Sequence, residues 1–161
     1  MFLSLEFGSN IKVVEGCKKK NIVYVKKAVA MDVSVDIKNG LNLTDLISEV
    51  LIKNNIKTKK AIFIINTELV IIRKIKLPLL NNKKETISMI KHELGQLISA
   101  DLSRYKIIYK IIETYVEDER KTALYAAYCL PINIYEFYER LGKKLKLRLV
   151  SIDIASNCLN N

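Results

Sequence analysis

The sequence predicts an α/β (α+β) fold: an antiparallel strand meander, then helices alternating with strands. Three observations carry this. The first 31 residues hold three apolar stretches separated only by short turn-forming clusters. Residues 61–65, AIFII, form a short wholly apolar run between two stretches of helical periodicity. Downstream, the same alternation of strand-like and helix-like segments repeats.

Residues 1–7 alternate loosely and read as a strand. Gly8-Ser9-Asn10 is turn chemistry, and Ile11 to Glu15 returns antiparallel. Gly16 to Asn21, with three consecutive lysines, reads as an exposed turn before a third strand, 21–31. Asn42 is the expected cap of a helix whose apolar face is Leu43, Leu46, Ile47, Val50 and Leu51, closed by Lys53 and Asn54-Asn55. The apolar run at 61–65 suits a strand covered on both faces. Asn66-Thr67-Glu68 turns the chain into a further strand, 70–77, stopped by Pro78.

A second helix is expected over 83–99, its stripe formed by Ile87, Ile90, Leu94, Leu97 and Ile98, with His92 off that stripe on the surface. Residues 105–115 and 122–130 form a hairpin about Glu117-Asp118-Glu119-Arg120. Its second strand is nearly free of charge and therefore buried. Pro131 and Asn133 open a third helix with Ile134, Phe137, Tyr138 and Leu141 inward and Gly142 as its left-handed stop. A last strand spans 145–152 and ends at Asp153. The opening order, three strands, a helix and a strand, is that of a ribonuclease-H-like or actin-like subdomain.

With 161 residues, half of them hydrophobic, the chain can bury a substantial core. Its net charge of +10 invites a nucleic-acid reading. The basic residues, however, are mostly lysine and dispersed along the sequence. The richness in Lys, Ile and Asn is also a bias that an AT-rich genome writes into any protein. No specific nucleic-acid partner is therefore expected; a basic protein is nonetheless drawn toward an anionic membrane face. Cys17, Cys129 and Cys158 are far apart and fit free thiols in a reducing compartment. A single histidine and no CxxC spacing argue against a zinc site or triad. No stretch reaches the roughly 20 apolar residues of a membrane span, and the N-terminus lacks the pattern of a signal peptide. A cytoplasmic protein is expected.

Two constellations bear on chemistry. Glu6-x-Gly8-Ser9 places a carboxylate beside a glycine and a hydroxyl, followed by Asn10 and Lys12. In an actin-like subdomain the first turn faces the nucleotide phosphates, and its backbone N–H groups and acid hold phosphate and hydrated magnesium. Most such turns are purely structural, so the motif alone is weak. A ribonuclease-H-like nuclease would need several acids converging on two ions. Glu6, Asp45, Glu68 and Asp153 are the available carboxylates, and each has a simpler structural explanation. No catalytic set and no metal site is predicted. The tyrosines suit strands and core filling better than a base-stacking platform.

LEFGSNIKVVE (residues 5–15) resembles the opening of the type IV pilus assembly protein PilM family, actin-like relatives of the cell-division protein FtsA. KAIFIINTELVIIRKIKLP (60–78) resembles the family's strand–turn–strand ending in R-x-I-x-L-P. Residues 82–102 resemble its next helix, and 122–153 its buried strand, helix, G-L and final strand. The resemblance implies three parts: 1–78 as the first actin-like subdomain, 79–150 as an inserted α/β subdomain, and 151–161 as a return to the first. It implies a scaffold of the pilus assembly platform, associated with the membrane through partners. That scaffold would take the N-terminal cytoplasmic peptide of a PilN-like membrane protein in a groove between subdomains. Arg73, Ile75, Leu77, Ile87, Ile90 and Leu94 are the groove candidates. Glu6, Gly8, Ser9, Asn10 and Lys12 become a vestigial or half phosphate site, with no cofactor expected in this chain and ATP with magnesium expected only in a longer one. The family's acid at this turn is usually Asp, and the ending ASNCLNN falls before a second lobe, as in a domain of a longer protein, with a reduced form that keeps only the peptide-binding half as the alternative. An FtsA-like or secretion-system protein, or the first lobe of an ATP-hydrolysing one, is the alternative.

Overall fold

The computed structural model describes residues 1–33 and 40–155; the side chain of Asn42, Cys158 and the tail from 156 lie outside the described residues. The chain divides into two compact units, Met1–Thr67 with Ile134–Asn161, and Glu68–Asn133.

The first unit is built on a five-stranded sheet. Its strands are β1 (Phe2–Phe7), β2 (Ile11–Lys19), β3 (Ile22–Met31), β4 (Lys60–Ile65) and β8 (Arg148–Ile154), in the spatial order β3-β2-β1-β4-β8. The first three pair antiparallel, while β4 runs parallel to β1 and β8 parallel to β4. A meander extended by two parallel strands is the ribonuclease-H-like arrangement. Parallel neighbours need crossovers. The first contains helix α1 (Gly40–Lys53), and the second ends in helix α3 (Ile132–Lys144).

Period-2 alternation explains the burial. Leu3, Leu5 and Phe7 of β1, Ile11 and Val13 of β2, and Ala61, Phe63 and Ile65 of β4 are buried on one face. Tyr138 of α3 closes that face against Phe7 and Phe63, at ring-centroid separations of 4.8 and 6.4 Å. On the opposite face Phe2, Ser4, Glu6, Ile62 and Ile64 are half-exposed, so β4 is fully covered on one side only.

The second unit has a three-stranded antiparallel sheet, β5 (Ile71–Pro78), β7 (Arg120–Pro131) and β6 (Tyr105–Glu117), in that spatial order, with helix α2 (Lys83–Leu97). Central β7 is buried, as its lack of charge predicts. Ile90 and Leu94 of α2 pack with Ile75, Leu77, Ile107 and Tyr125 in one cluster. Asn82 caps α2 by accepting from the Lys84 N–H at 2.9 Å. The β6–β7 hairpin turns on Asp118 and Glu119, both left-handed (φ 47° and 63°), as a two-residue type I′ turn requires.

Several local expectations differ from the structure. The three lysines 18–20 are not all turn: β2 continues through Lys19, and only Lys20 and Asn21 link it to β3. Helix α1 begins at Gly40, so Asn42 lies inside it rather than at its cap, and Asp45 falls beyond its first turn. Asn133 likewise lies within α3. Pro78 ends β5 while still paired with Thr122. Gly142 does not stop α3. The left-handed residue is Lys146 (φ 52°), with Leu147 N–H donating to the Gly142 carbonyl at 2.9 Å. Asn55 (φ 51°) closes α1 in the same way, as its sequence position suggests. The unit boundaries also fall elsewhere than at 78 and 150: β5 belongs to the second sheet, and all of β8 and nearly all of α3 to the first unit.

Candidate functional site

The first turn lies between β1 and β2, with Phe7 opposite Ile11 and Gly8, Ser9 and Asn10 as its loop. Register puts Glu6 directly across from Lys12, and their side chains form an ion pair at 3.1 Å. Both are substantially exposed, so the pair contributes at most about 1 kcal/mol. Gly8 N–H donates within the loop to the Asn10 carbonyl at 3.3 Å, and Asn10 Nδ2 donates to Asp32 Oδ1 at 3.1 Å. A Cβ at Gly8 would lie 3.3 Å from Cβ of Asn66, so tight packing against Asn66 accounts for this glycine. Ser9 is exposed. The turn thus brings the five expected residues together, with Glu6, Gly8 and Asn10 committed to partners inside the protein. As arranged it spends the Gly8 N–H within the loop.

Within the first unit, Glu6 and Asp153 do not converge. Register places Glu6 beside Ile64 and Ile64 beside Asp153, so the two acids are two strands apart. At just under 5 Å per strand, their backbones are about 10 Å apart. Asp45 is exposed on α1, and Glu68 belongs to the other unit. Among the described residues no three metal-ligating side chains cluster.

The six groove candidates all belong to the second unit. Ile75, Leu77, Ile90 and Leu94 are buried in its core, with Ile90 and Leu94 at 0% exposure. They hold α2 on the sheet and present no surface. Arg73 is exposed and Ile87 half-exposed, so these two remain available to a partner.

The first unit carries a concavity that the sequence reading missed. Strand β8 is an edge of the sheet. Between it and α3 runs an open cleft of about 290 Å³, lined by Tyr135, Glu139 and Lys143 of the helix and by Leu149, Val150, Ser151 and Ile152 of the strand, with Leu147 between them. Lys143 and Glu139 form a 3.7 Å ion pair at this lining. A register shift between Ala61 and Ile62 leaves Val150 unmatched, and its side chain is half-exposed. A strand edge beside a trough of mixed apolar and polar side chains is suited to an extended peptide. The break in alternation at Leu149-Val150 was the available signal, but edge position depends on the sheet order.

No protein-family model matches the sequence, and no curated protein matches it. Among solved structures the chain is similar to one from the PilM–PilN type IV pilus biogenesis complex, with a TM-score of 0.79 and 18% identity over 96% of this chain. The fold is PilM-like. This chain spans 47% of the length of that PilM–PilN chain. The chain also matches the cytoplasmic domain of EpsL, an inner membrane component of the type II secretion system of Vibrio cholerae, with a TM-score of 0.48 and 10% identity over 94% of this chain and 56% of that one. No helix among the described residues is long and apolar enough to cross a membrane.

Proposed function

We propose that this protein is a cytoplasmic scaffold of a type IV pilus assembly platform, and that it takes an extended apolar segment at the cytoplasmic N-terminus of a PilN-like membrane protein. The observation that carries the reading is the likeness, across 96% of the chain, to a component of the PilM–PilN complex. The cleft along β8 supports it, because an extended segment can add to a strand edge through its backbone and seat alternate side chains beside α3. That partner would tie the protein to the inner membrane and to other platform proteins. An FtsA-like or secretion-system role for the same fold is the variant with a different membrane partner.

The test is a fluorescence anisotropy titration with a labelled peptide from the cytoplasmic N-terminus of a PilN-like membrane protein. Saturable binding is expected without added nucleotide. Val150→Lys should abolish it if the β8 edge is the seat; Arg73→Glu should abolish it if the second unit supplies the contact. Absence of binding at high micromolar protein would remove the scaffold reading for this chain.

Nucleotide use is a second proposal, favoured only by the gathering of Glu6, Gly8, Ser9, Asn10 and Lys12 at one turn. ATP with magnesium would then be held in a longer chain that supplies a second wall. Calorimetry with ATP and magnesium on that longer chain, wild type against Glu6→Ala, tests it; equal heats from the two would dismiss the turn.

A further inference from the structure

The charge of this protein is concentrated in space although it is dispersed in sequence. Segments 16–27, 53–60 and 143–148 contain 13 of the 27 basic residues and none of the 17 acidic ones. The rest of the chain carries 14 basic against 17 acidic residues, so the whole excess of +10 resides in these three segments.

Contacts bring the three segments to one end of the first sheet. Lys27 Nζ donates to the carbonyls of Asn54 and Asn55. Arg148 N–H donates to the Lys59 carbonyl at 2.7 Å, and Lys60 pairs in register with Arg148. Glu15, the acid adjoining this end, is buried and accepts from Thr58 Oγ1 at 2.6 Å. Lys27 is committed to the end of α1 and Lys143 to Glu139. Lys18, Lys19, Lys20, Lys57, Lys59 and Lys60 are in no ion pair among the described residues.

A two-stranded ribbon projects from the same end. Strand β1 stops at Phe2, opposite Gly16, while β2 and β3 pair onward through Cys17–Tyr24, Lys18–Val23 and Lys19–Ile22. Beyond Gly16 the ribbon therefore has no third strand on the β2 side among the described residues. On it Ile22, Val23 and Val25 are 58%, 57% and 62% exposed, and Tyr24 lies between them at 47%. Four consecutive large apolar side chains stand in water beside Lys18, Lys19, Lys20 and Lys26.

We propose that this basic end and its ribbon dock the protein directly on an anionic lipid bilayer. The lysines sit at headgroup level, and Ile22, Val23 and Val25 enter the interface. Charge complementarity selects the occupant. Twelve of the thirteen basic residues are lysine, compact charges that suit a fluid anionic surface and need no fixed acceptor geometry. The aliphatic tip is the feature that a nucleic acid leaves unused, since stacking on bases calls for aromatic planes and arginine. Burial of exposed aliphatic side chains in the interface adds an apolar contribution to the electrostatic one. This contact is independent of any protein partner, and its test contains none.

The test is co-sedimentation of the 161-residue chain with vesicles of phosphatidylcholine alone and of phosphatidylcholine mixed with phosphatidylglycerol. Binding to the mixed vesicles only is expected, weakening as salt rises. Replacing Lys18, Lys19 and Lys20 with Gln should lower the apparent affinity on the order of 100-fold. Replacing Lys83, Lys84 and Lys91, which lie outside the three basic segments, with Gln removes the same charge and should leave it within about two-fold. A Val23→Trp reporter should shift its emission to the blue on mixed vesicles alone. Equal binding to both vesicle types, equal weakening by the two triple substitutions, or displacement from the vesicles by a stoichiometric DNA duplex would each overturn the proposal.

Discussion

The hydroxyl of Thr58 donates to the carboxyl group of Glu15 at 2.6 Å, joining the segment that precedes β4 to the middle of β2. Glu15 is only 4% exposed and shares a face with Leu3 and Lys27, its register neighbours on β1 and β3. A buried polar group deprived of its donor loses about 1–3 kcal/mol. Thr58→Val keeps the shape and removes the donor. It should lower unfolding stability by that amount, read as a reduced urea midpoint at unchanged slope. An unchanged midpoint would mean that water replaces the hydroxyl.

Two glycines in the first unit predict opposite outcomes. A Cβ at Gly16 would lie 2.8 Å from the Tyr24 carbonyl oxygen and 3.0 Å from the Phe2 ring, at the bulge where β2 shifts register on β3. Backbone cannot yield there, so Gly16→Ala should destabilise by about 1–3 kcal/mol. At Gly142 the nearest atoms, from Leu149 and Phe63, are 3.6–3.7 Å away, ordinary contact distances within a helix. Gly142→Ala should stabilise by about 0.5–1 kcal/mol through helix propensity. A loss at Gly142 would restore the left-handed stop that its place in the sequence suggests. Chemical denaturation of the two variants decides both.

These contrasts show what the sequence can and cannot convey. Alternation located the strands, because burying one face of a sheet forces a period of two. The α3 face of Ile134, Tyr138 and Leu141 was legible from 3.6-residue spacing, and all three are buried. Sheet membership was not legible. VIIRKIKL reads as a strand wherever it lies, and only its pairing with β7 assigns β5 to the second sheet. The same limit affected the site. Ile75, Leu77, Ile90 and Leu94 were chosen as apolar residues fit for a groove, but the pattern that would line a groove is also the pattern that fills a core. The basic end was hidden for a related reason: the contacts of Lys27 with Asn54 and of Arg148 with Lys59 that gather its segments are non-local.

Burial of Tyr138 among Phe7, Phe63 and Phe137 predicts an alkaline weakness. Desolvation of its hydroxyl pushes the pKa from the ordinary 10 up to about 12. Below pH 10 the side chain is neutral in both folded and unfolded chains, and the contribution is fully present. As pH rises from about 10 to about 12, the unfolded chain releases this proton while the folded chain retains it. The unfolded state then binds fewer protons, and stability falls. Lysines also titrate here, so the measurement is the difference between wild type and Tyr138→Phe. Wild type should lose stability relative to the variant across that window; parallel curves would place the hydroxyl in contact with solvent.

The free thiols of the described residues should differ sharply in reactivity. Cys129 lies at 0% exposure in the core of the second unit, and desolvation raises its pKa, with Arg73 opposing that rise. Reaction requires the thiolate and access to it, so both factors protect this residue. Cys17 is half-buried on the projecting ribbon, opposite Tyr24. In a Cys158→Ser background, Ellman's reagent should titrate one thiol promptly in native buffer and the second only as denaturant unfolds the protein. The slow phase should follow the unfolding of β5, β6 and β7, because Cys129 is paired between Ile71 and Ile107. Its modification rate therefore reports the opening of that sheet. Two thiols reacting at one fast rate would show that central β7 is accessible in the native protein.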